Sequence, residues 1–166
     1  MLNVKSEIEV GRLLAGAAKT VRSVRYCWLV TRAAGGEFHA RPMGRLLADK
    51  DADDWIIRFV TDGRSRKAKE LRGEPEVGLI FQSDGDEAYA FLFGRATLIE
   101  RSSDVARHWK KAYEAYFPTP ADRAAAMFVE IEIGRMELWI RGVTPEPFGL
   151  HATRILRDAE GHWGLA

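Results

Sequence analysis

The sequence predicts an α+β protein, mainly antiparallel β structure with helices at its periphery. Three observations predict this class. Apolar runs rich in Val, Ile, Tyr, Trp and Thr recur along the chain, turn residues separate them at hairpin distances, and only one short helix interrupts the first five runs. A length of 166 residues, with 46% hydrophobic and 30% charged residues, predicts a single globular domain over residues 1–166.

The first predicted element is an N-terminal helix over residues 1–20. Ser6 and Glu9 have the spacing of a capping box, in which two side chains satisfy backbone amides at a helix start. Apolar residues then recur at helical spacing, at Val10, Leu13, Leu14 and Ala17. The pattern therefore predicts an amphipathic helix.

Five predicted strands follow in hairpin order. The pattern changes there to runs of β-branched and aromatic residues, and Ala34-Gly35-Gly36 and Ser83-Asp84-Gly85-Asp86 supply turns. The fourth run is almost wholly apolar, which predicts a central strand. A solvated acidic turn with Asp51, Asp53 and Asp54 is expected before the third strand. The five strands are 22–32, 37–43, 55–60, 77–81 and 88–99.

The sequence pattern in the rest of the chain predicts two helices and four short strands. Ser102 or Ser103 caps the first helix, whose apolar stripe ends before Phe117-Pro118 and consists of Val105, Trp109, Ala112 and Tyr116. Thr119, Pro120 and Asp122 then read as a cap, a first-turn proline and an acidic N3 residue. Strands are expected at 128–133 and 136–141, and residues 145–166 form an extension that ends in a hairpin of 153–157 and 162–165.

Charge and cysteine content exclude several function classes. The net charge of +1 gives no electrostatic basis for binding nucleic acid or an anionic membrane. No apolar run approaches the roughly 20 residues of a membrane span. The single cysteine, Cys27, lies in an apolar run and is expected to be an inert buried thiol. A reducing cytoplasm suits this composition, and a cytoplasmic location is expected.

The segment from Ser65 to Lys67 is the clearest candidate binding site. A strand enters a polar turn that opens a short basic helix, and the unpaired amides at a helix start favour a phosphate. The Ser65 hydroxyl can donate a hydrogen bond, and Arg66 and Lys67 supply positive charge. The alternative is a solvated helix in which Arg66 and Glu70 form an ordinary i,i+4 ion pair. Spacing alone leaves both interpretations open.

Several segments, in the same order along the chain, resemble the FMN-binding split barrels related to pyridoxamine phosphate oxidase, and most closely their general-stress-protein branch. They are Phe38-His39-Ala40-Arg41-Pro42-Met43, residues 55–62, Ser65-Arg66-Lys67, residues 89–98, the Trp109 helix with Phe117-Pro118, and Glu137-Leu138-Trp139. The resemblance implies a six-stranded antiparallel split β-barrel of Greek-key type. It also implies a homodimer with FMN at the subunit interface.

The resemblance assigns roles to ten residues. Arg41, Pro42 and Met43 match the strand that lines the isoalloxazine, with the Arg41 side chain at the polar edge of the ring. Two residues at the end of the third strand, Val60 and Thr61, match positions beside the ring and ribityl chain. Three residues match the phosphate cradle: Ser65, Arg66 and Lys67. Gln82 and Trp139 match positions that, in such dimers, approach the flavin from the partner subunit. Trp109 is expected in core or dimer packing.

The C-terminal segment departs from the true oxidases, which carry an Arg-x-His pair after the last Trp strand. Here Gly149 precedes His151 at the Arg position, and Arg154 lies in another register. Loss of a charge-assisted pair removes about 1.5–3 kcal/mol from a phosphate site, so pyridoxamine phosphate oxidase activity itself is not expected. The four histidines are scattered without metal-ligand spacing, so no metal site is expected.

Two function hypotheses remain open at this point, and no catalytic residue stands out. The first is an FMN-dependent oxidoreductase that acts on an unidentified small molecule, with a role in stress implied by the family branch. The second is a non-catalytic flavin protein, such as a carrier or a sensor. The phosphate cradle does not distinguish the ring system, so a deazaflavin or FAD is an alternative to FMN.

Overall fold

The computed structural model describes residues 4–47 and 55–166, so the acidic turn predicted at Asp51, Asp53 and Asp54 lies outside the described residues. The helices are α1 (Val4–Ser23), α2 (Arg66–Gly73), α3 (Ser102–His108), a 3-10 helix (Lys111–Ala115) and α4 (Pro120–Ala125). The strands are β1 (Tyr26–Arg32), β2 (Phe38–Gly44), β3 (Ile56–Asp62), β4 (Glu76–Ser83), β5 (Ala88–Ile99), β6 (Ala126–Ile140), β7 (Thr153–Arg157) and β8 (Trp163–Leu165).

The strands form one antiparallel sheet in the order β2-β1-β4-β5-β6-β7-β8, and β3 pairs with β6. β3 occupies the N-terminal half of β6, and β7 pairs with its C-terminal half. The backbone amide of Leu46, just after β2, donates to the carbonyl of Arg58 on β3 at 2.8 Å. The sheet thus curves back toward its own edge as a split barrel, which confirms the predicted mainly antiparallel α+β fold.

The long strand β6 corrects the predicted strands 128–133 and 136–141. These form one continuous strand of 15 residues. Phe93 pairs with Arg135 and Gly94 pairs with Ile133, so Gly134 is the extra residue of a β-bulge. A bulge shifts the alternation of inward and outward side chains by one residue. In the sequence, this shift looks like a turn between two separate strands.

The bulge gives a testable prediction about two glycines. A Cβ atom on Gly94 would lie 2.5 Å from the carbonyl oxygen of Glu132, whereas a Cβ on Gly134 would have no heavy atom within 4 Å. Gly94→Ala should therefore lower the free energy of unfolding by about 1–3 kcal/mol, as overpacking does. Gly134→Ala is the matched control and should change it by less than about 0.5 kcal/mol. Urea unfolding of the two variants checks this, and equal effects would contradict the packing argument.

Two of the predicted helices have different boundaries. Helix α1 already includes Val4 and Lys5, so Ser6 lies inside the helix and is not its cap. It continues through Ser23, so the first strand begins at Tyr26 instead of residue 22.

The predicted helix with the Trp109 stripe is also interrupted. Helix α3 ends at His108, and Trp109 has an extended backbone, with ψ of 133°. The Trp109 ring packs edge-on against Tyr113 and Phe117, with centroid distances of 5.7 and 5.6 Å. In contrast, the predicted cap is confirmed, because Thr119 and Asp122 form a reciprocal capping box at the start of α4.

The inward side chains of the strands form the core together with one face of α1. Phe59, Leu79 and Leu92 are fully buried there. Cys27 is 1% exposed, which confirms that its thiol is buried, and burial raises the pKa of the thiol to about 12. Within the described ranges, no helix has the length and hydropathy needed to cross a bilayer.

Candidate functional site

The turn between β3 and α2 is held in place by its own side chains. The Asp62 carboxylate accepts from the Arg64 backbone amide at 2.8 Å and from the Arg64 guanidinium at 2.6 Å. Arg64 also donates to Asp122 at 2.9 Å, and its hydrogen bonds lower the pKa of Asp62. The amide of Gly63 donates to the carbonyl of Ala125 at 2.7 Å. These bonds fix the position at which α2 begins.

Ser65 caps helix α2. Its Oγ accepts from the amide of Ala68 at 3.3 Å, and its carbonyl accepts from the amide of Lys69 at 3.2 Å. Across residues 4–47 and 55–166, the amides of Arg66 and Lys67 have no acceptor. Two free amides at the positive end of a helix form an anion-binding arrangement.

Lys67 adds an unneutralised charge beside these amides. Its side chain is half-buried, and it forms no ion pair with any carboxylate of the described residues. Burial lowers the pKa of Lys67, and the neighbouring charge of Arg41 lowers it further, against the opposing effect of Asp62. A desolvated ammonium next to another cation is suited to an anionic ligand.

Arg66 forms the ion pair expected of an ordinary basic helix. Its side chain is 67% exposed, and its Nε lies 3.6 Å from Glu70 Oε1, so the i,i+4 pair of the alternative interpretation is present. This pair does not involve the two free amides or Lys67. The ordinary ion pair and the anion-binding arrangement therefore coexist on the same helix.

Glu70 is the centre of a buried polar network that the sequence interpretation did not identify. Its side chain is only 6% exposed. The carboxylate accepts from Thr31 Oγ1 at 2.5 Å and from Arg41 Nη2 at 3.1 Å, and it lies 2.5 Å from His39 Nδ1. One sequence feature could have indicated this network. Thr31, His39 and Arg41 are polar residues at inward positions of β1 and β2, where the neighbouring inward residues are apolar.

The network predicts a pH effect on stability. Burial by itself raises the pKa of Glu70, but hydrogen bonds from Thr31 and His39 and the charge of Arg41 act the other way, and the net pKa is below the ordinary value of 4.5. A carboxyl group with a lowered pKa stabilises the folded state above its unfolded pKa, and this contribution disappears as the pH falls through the folded pKa. Glu70→Gln should therefore lose less free energy of unfolding than wild type between pH 5 and about pH 3. Chemical unfolding at several pH values measures this, and parallel curves would contradict it.

The other residues assigned to β2 and β3 divide between the two sides of the sheet. The Arg41 guanidinium donates a hydrogen bond to Glu70 and is close enough to Arg66 and Lys67 for their charges to repel one another. Pro42 faces outward opposite Trp28, and Met43 packs against the core. On β3, Val60 is half-buried on the outer side and Thr61 is buried on the inner side. The roles assigned to these residues stay predictions.

The structure separates Gln82 and Trp139 from the turn in the same chain. Both pair with Tyr89, so the three residues form one row across β4, β5 and β6. Asp62, at the turn, pairs with Ala126 at the opposite end of β6. At about 3.3 Å per residue, the path along β6 between Ala126 and Trp139 is roughly 40 Å. A single chain does not bring all ten assigned residues to one place.

A pocket of about 370 Å³ lies on the outer side of β3 and β6. Its lining includes Phe128, which pairs with Val60, and the ion pair between Arg58 and Glu130, at 2.8 Å. Trp109 is half-buried in its wall, which places this residue at a pocket as well as in an aromatic cluster. Sequence reasoning missed this pocket because its lining comes from five separate segments of the chain.

Comparisons with known proteins agree with the fold and identify the family. The family model described as "Pyridoxamine 5'-phosphate oxidase like" matches residues 15–146. The chain belongs to the pyridoxamine 5′-phosphate oxidase like family. A comparison with curated protein sequences gives no match.

Solved structures with the same fold have low sequence identity to this member of the family. A pyridoxamine 5′-phosphate oxidase-related, FMN binding protein from Nostoc punctiforme has a TM-score of 0.68 and 16% identity, with 94% of each chain covered. A protein from Clostridium acetobutylicum related to general stress protein 26 of B. subtilis has a TM-score of 0.66 and 18% identity, with 78% of this chain and 89% of that chain covered. An F420 reductase has a TM-score of 0.52 and 16% identity, with 67% and 87% covered. At these identities the likeness shows the fold alone.

In the C-terminal segment of this pyridoxamine 5′-phosphate oxidase like chain, Gly149 stands two residues before His151, so that position supplies no guanidinium. His151 is exposed, and Gly149 has a positive φ of 83°. The Nε of Arg154 lies 3.3 Å from Glu137 Oε1 on β6, so this arginine is engaged elsewhere. Among the described residues, no group of three or more His, Cys, Asp or Glu side chains is arranged to hold a metal ion.

Proposed function

We propose that the protein binds FMN and acts as an oxidoreductase on a small molecule. The observation that carries the proposal is the anion site at the start of α2, where two free amides and the half-buried Lys67 lie next to Arg41. The site follows the end of β3 in a chain of the pyridoxamine 5′-phosphate oxidase like family, and one structural relative is described as FMN binding.

Charge balance supports a phosphate monoester at this site. Arg41, Arg66 and Lys67 contribute three positive charges, and Glu70 removes one of them. A phosphate monoester carries about 1.5 to 2 negative charges at pH 7, which the remaining charge neutralises. Bound FMN supplies the electron-transfer chemistry, while the residues of the chain bind its phosphate and orient it.

We extend this proposal to a homodimer with the flavin between subunits. The outer face of the sheet carries a continuous apolar row in which Trp28 lies between Pro42 and Ile80, and Ile80 lies opposite Phe91. Trp28 is 47% exposed, and a large exposed apolar face is typical of an interaction surface. In a dimer, Gln82 and Trp139 of one subunit can approach the α2 site of the other, which resolves their separation within one chain.

The second candidate function is a non-catalytic flavin or deazaflavin binder. The observation in its favour is that free amides and a lysine at the start of α2 suit an anion without distinguishing one ring system from another, and one structural relative is named an F420 reductase. FAD also carries phosphate and remains part of this alternative. A role in stress rests on the names of relatives such as the Clostridium acetobutylicum protein.

Purification followed by absorbance and mass spectrometry of the released cofactor tests the proposal. We expect an absorbance band of oxidised flavin and the mass of FMN; a deazaflavin mass selects the alternative ring. Stopped-flow reduction by NADH or NADPH, followed by reoxidation in air, then separates the two functions. Multiple turnovers support the oxidoreductase, and a bound flavin that neither donor reduces supports the binder.

A further inference from the structure

We propose that Glu70 is a positioning residue for the anion site, one that fixes the Arg41 guanidinium so that a free edge is left for the phosphate. In this arrangement Arg41 serves the phosphate and not the polar edge of the ring, where the resemblance places it. This inference rests on the proposed function, because it takes the phosphate of FMN as the ligand. In this inference, Glu70, Thr31 and His39 support the site by holding Arg41 and helix α2 in position. These three side chains need not touch the cofactor.

The bonds of Arg41 show which part of the guanidinium is used. Nη1 donates to Thr31 Oγ1 at 2.5 Å and to the Leu29 carbonyl at 3.3 Å, and Nη2 donates to Glu70 Oε2 at 3.1 Å. Thr31 Oγ1 also lies 2.5 Å from Glu70 Oε2, so these contacts gather at the Nη1–Nη2 end of the group. The Nε–H and the second Nη2–H have no acceptor in the described part of the chain. That pair of donors is the edge with which arginine binds two oxygens of one anion.

The burial of Glu70 indicates a geometric role. The negative charge of a carboxylate inside an anion site opposes phosphate binding. A favourable effect of Glu70 must therefore outweigh this repulsion. Glu70 accepts hydrogen bonds from Thr31 and Arg41 and contacts His39, and these partners offset the cost of its burial. The same bonds tie α2 to the β1–β2 hairpin, which sets the distance between the helix start and Arg41.

The two effects of Glu70 have opposite signs, and this makes the proposal testable. If Glu70 acts only through its charge, Glu70→Gln makes the site more positive and tightens FMN binding. If Glu70 positions Arg41, Glu70→Gln weakens FMN binding, because the amide nitrogen presents a donor to groups that are themselves donors. Riboflavin, which lacks the phosphate, separates both effects from a general effect on the ring site.

The experiment is a double-mutant cycle in the full chain, with dissociation constants for FMN and riboflavin measured by fluorescence quenching. We expect Glu70→Gln to weaken FMN about tenfold, with less than a twofold change for riboflavin, and we expect this loss to vanish in an Arg41→Ala background. The matched control is Glu74→Gln, which makes the same change of charge at the end of the same helix and should alter FMN binding less than about twofold. Thermal unfolding of each variant shows that the fold is retained.

A second variant keeps the proposal testable if Glu70→Gln does not fold. Thr31→Val removes the hydroxyl that accepts from Arg41 and donates to Glu70, without any change of charge. It should weaken FMN several-fold and leave riboflavin binding unchanged. Tighter or unchanged FMN binding in Glu70→Gln, or an equal loss with and without Arg41, would overturn the inference while FMN binding by wild type stands. Failure of wild type to bind FMN would refute the proposed function and this inference together.

Discussion

Replacement of Lys67 with alanine should weaken FMN binding by roughly ten- to a hundredfold and leave riboflavin binding unchanged. The Lys67 ammonium is half-buried beside two free amides and has no ion pair among the described carboxylates. A hydrogen bond to a charged group contributes about 1.5–3 kcal/mol. At about 1.4 kcal/mol for each factor of ten, this loss corresponds to the expected change in the dissociation constant. Fluorescence quenching with both flavins measures it.

The same substitution should leave the stability of the cofactor-free protein unchanged or raise it. Burial and the charge of Arg41 lower the pKa of Lys67, so its charged form is disfavoured in the folded protein without a ligand. Lys69→Ala is the matched control, because Lys69 lies on the same helix and is exposed. The control should bind both flavins like wild type. Equal losses for FMN and riboflavin in Lys67→Ala would mean that the residue acts through folding, and the phosphate assignment would fail.

Substitution of Ile80 with arginine should convert the proposed homodimer to a monomer and abolish tight FMN binding. Ile80 is half-buried on the outer face, in the row between Trp28 and Phe91. A charge buried without a partner at an interface costs about 3–5 kcal/mol, and a two-fold axis places two such charges in one dimer. FMN binding should weaken when the dimer dissociates, because Gln82 and Trp139 of one subunit then no longer contribute to the α2 site of the other.

Light scattering and FMN titration of the same samples measure the two effects. The matched control is Ile8→Arg, which makes the same apolar-to-charged change at a residue of α1 that is 68% exposed. This control should remain dimeric and bind FMN. A wild-type monomer at micromolar concentration would contradict the dimer, and full FMN binding by a monomeric Ile80→Arg would show that the site is complete within one chain.

Sequence patterns with local causes correctly predicted much of the fold. The hairpins of β1 with β2 and of β4 with β5, together with the apolar β runs, led to the antiparallel class, because turn residues and β-branched residues act over a few neighbouring positions. The predicted succession of hairpins was wrong for β3, which pairs with β6 instead of with β2 or β4. The capping box of Thr119 and Asp122 is likewise local. Ser65 at the start of α2 belongs to the same group, since its hydroxyl accepts from an amide three residues away.

Features that depend on distant partners were decided only by the tertiary structure. The single strand β6 keeps its ladder through Gly134 because β5 pairs with both sides of the bulge. The helix expected through Trp109 ends at His108, where the Trp109 ring packs against Tyr113 and Phe117 instead of continuing a stripe. In each case, contacts formed on folding outweighed a weak local preference.

The Glu70 network shows the same division at the candidate site. Sequence spacing identified the i,i+4 pair of Arg66 and Glu70, which is present at 3.6 Å. The shorter contacts of Glu70 go to Thr31, His39 and Arg41, which lie 39, 31 and 29 positions earlier in the chain. The sequence by itself determined which charged residues stand at the start of α2. Only the folded barrel decided which of them are neutralised, because a buried carboxylate takes its partners from whichever strands pack against it.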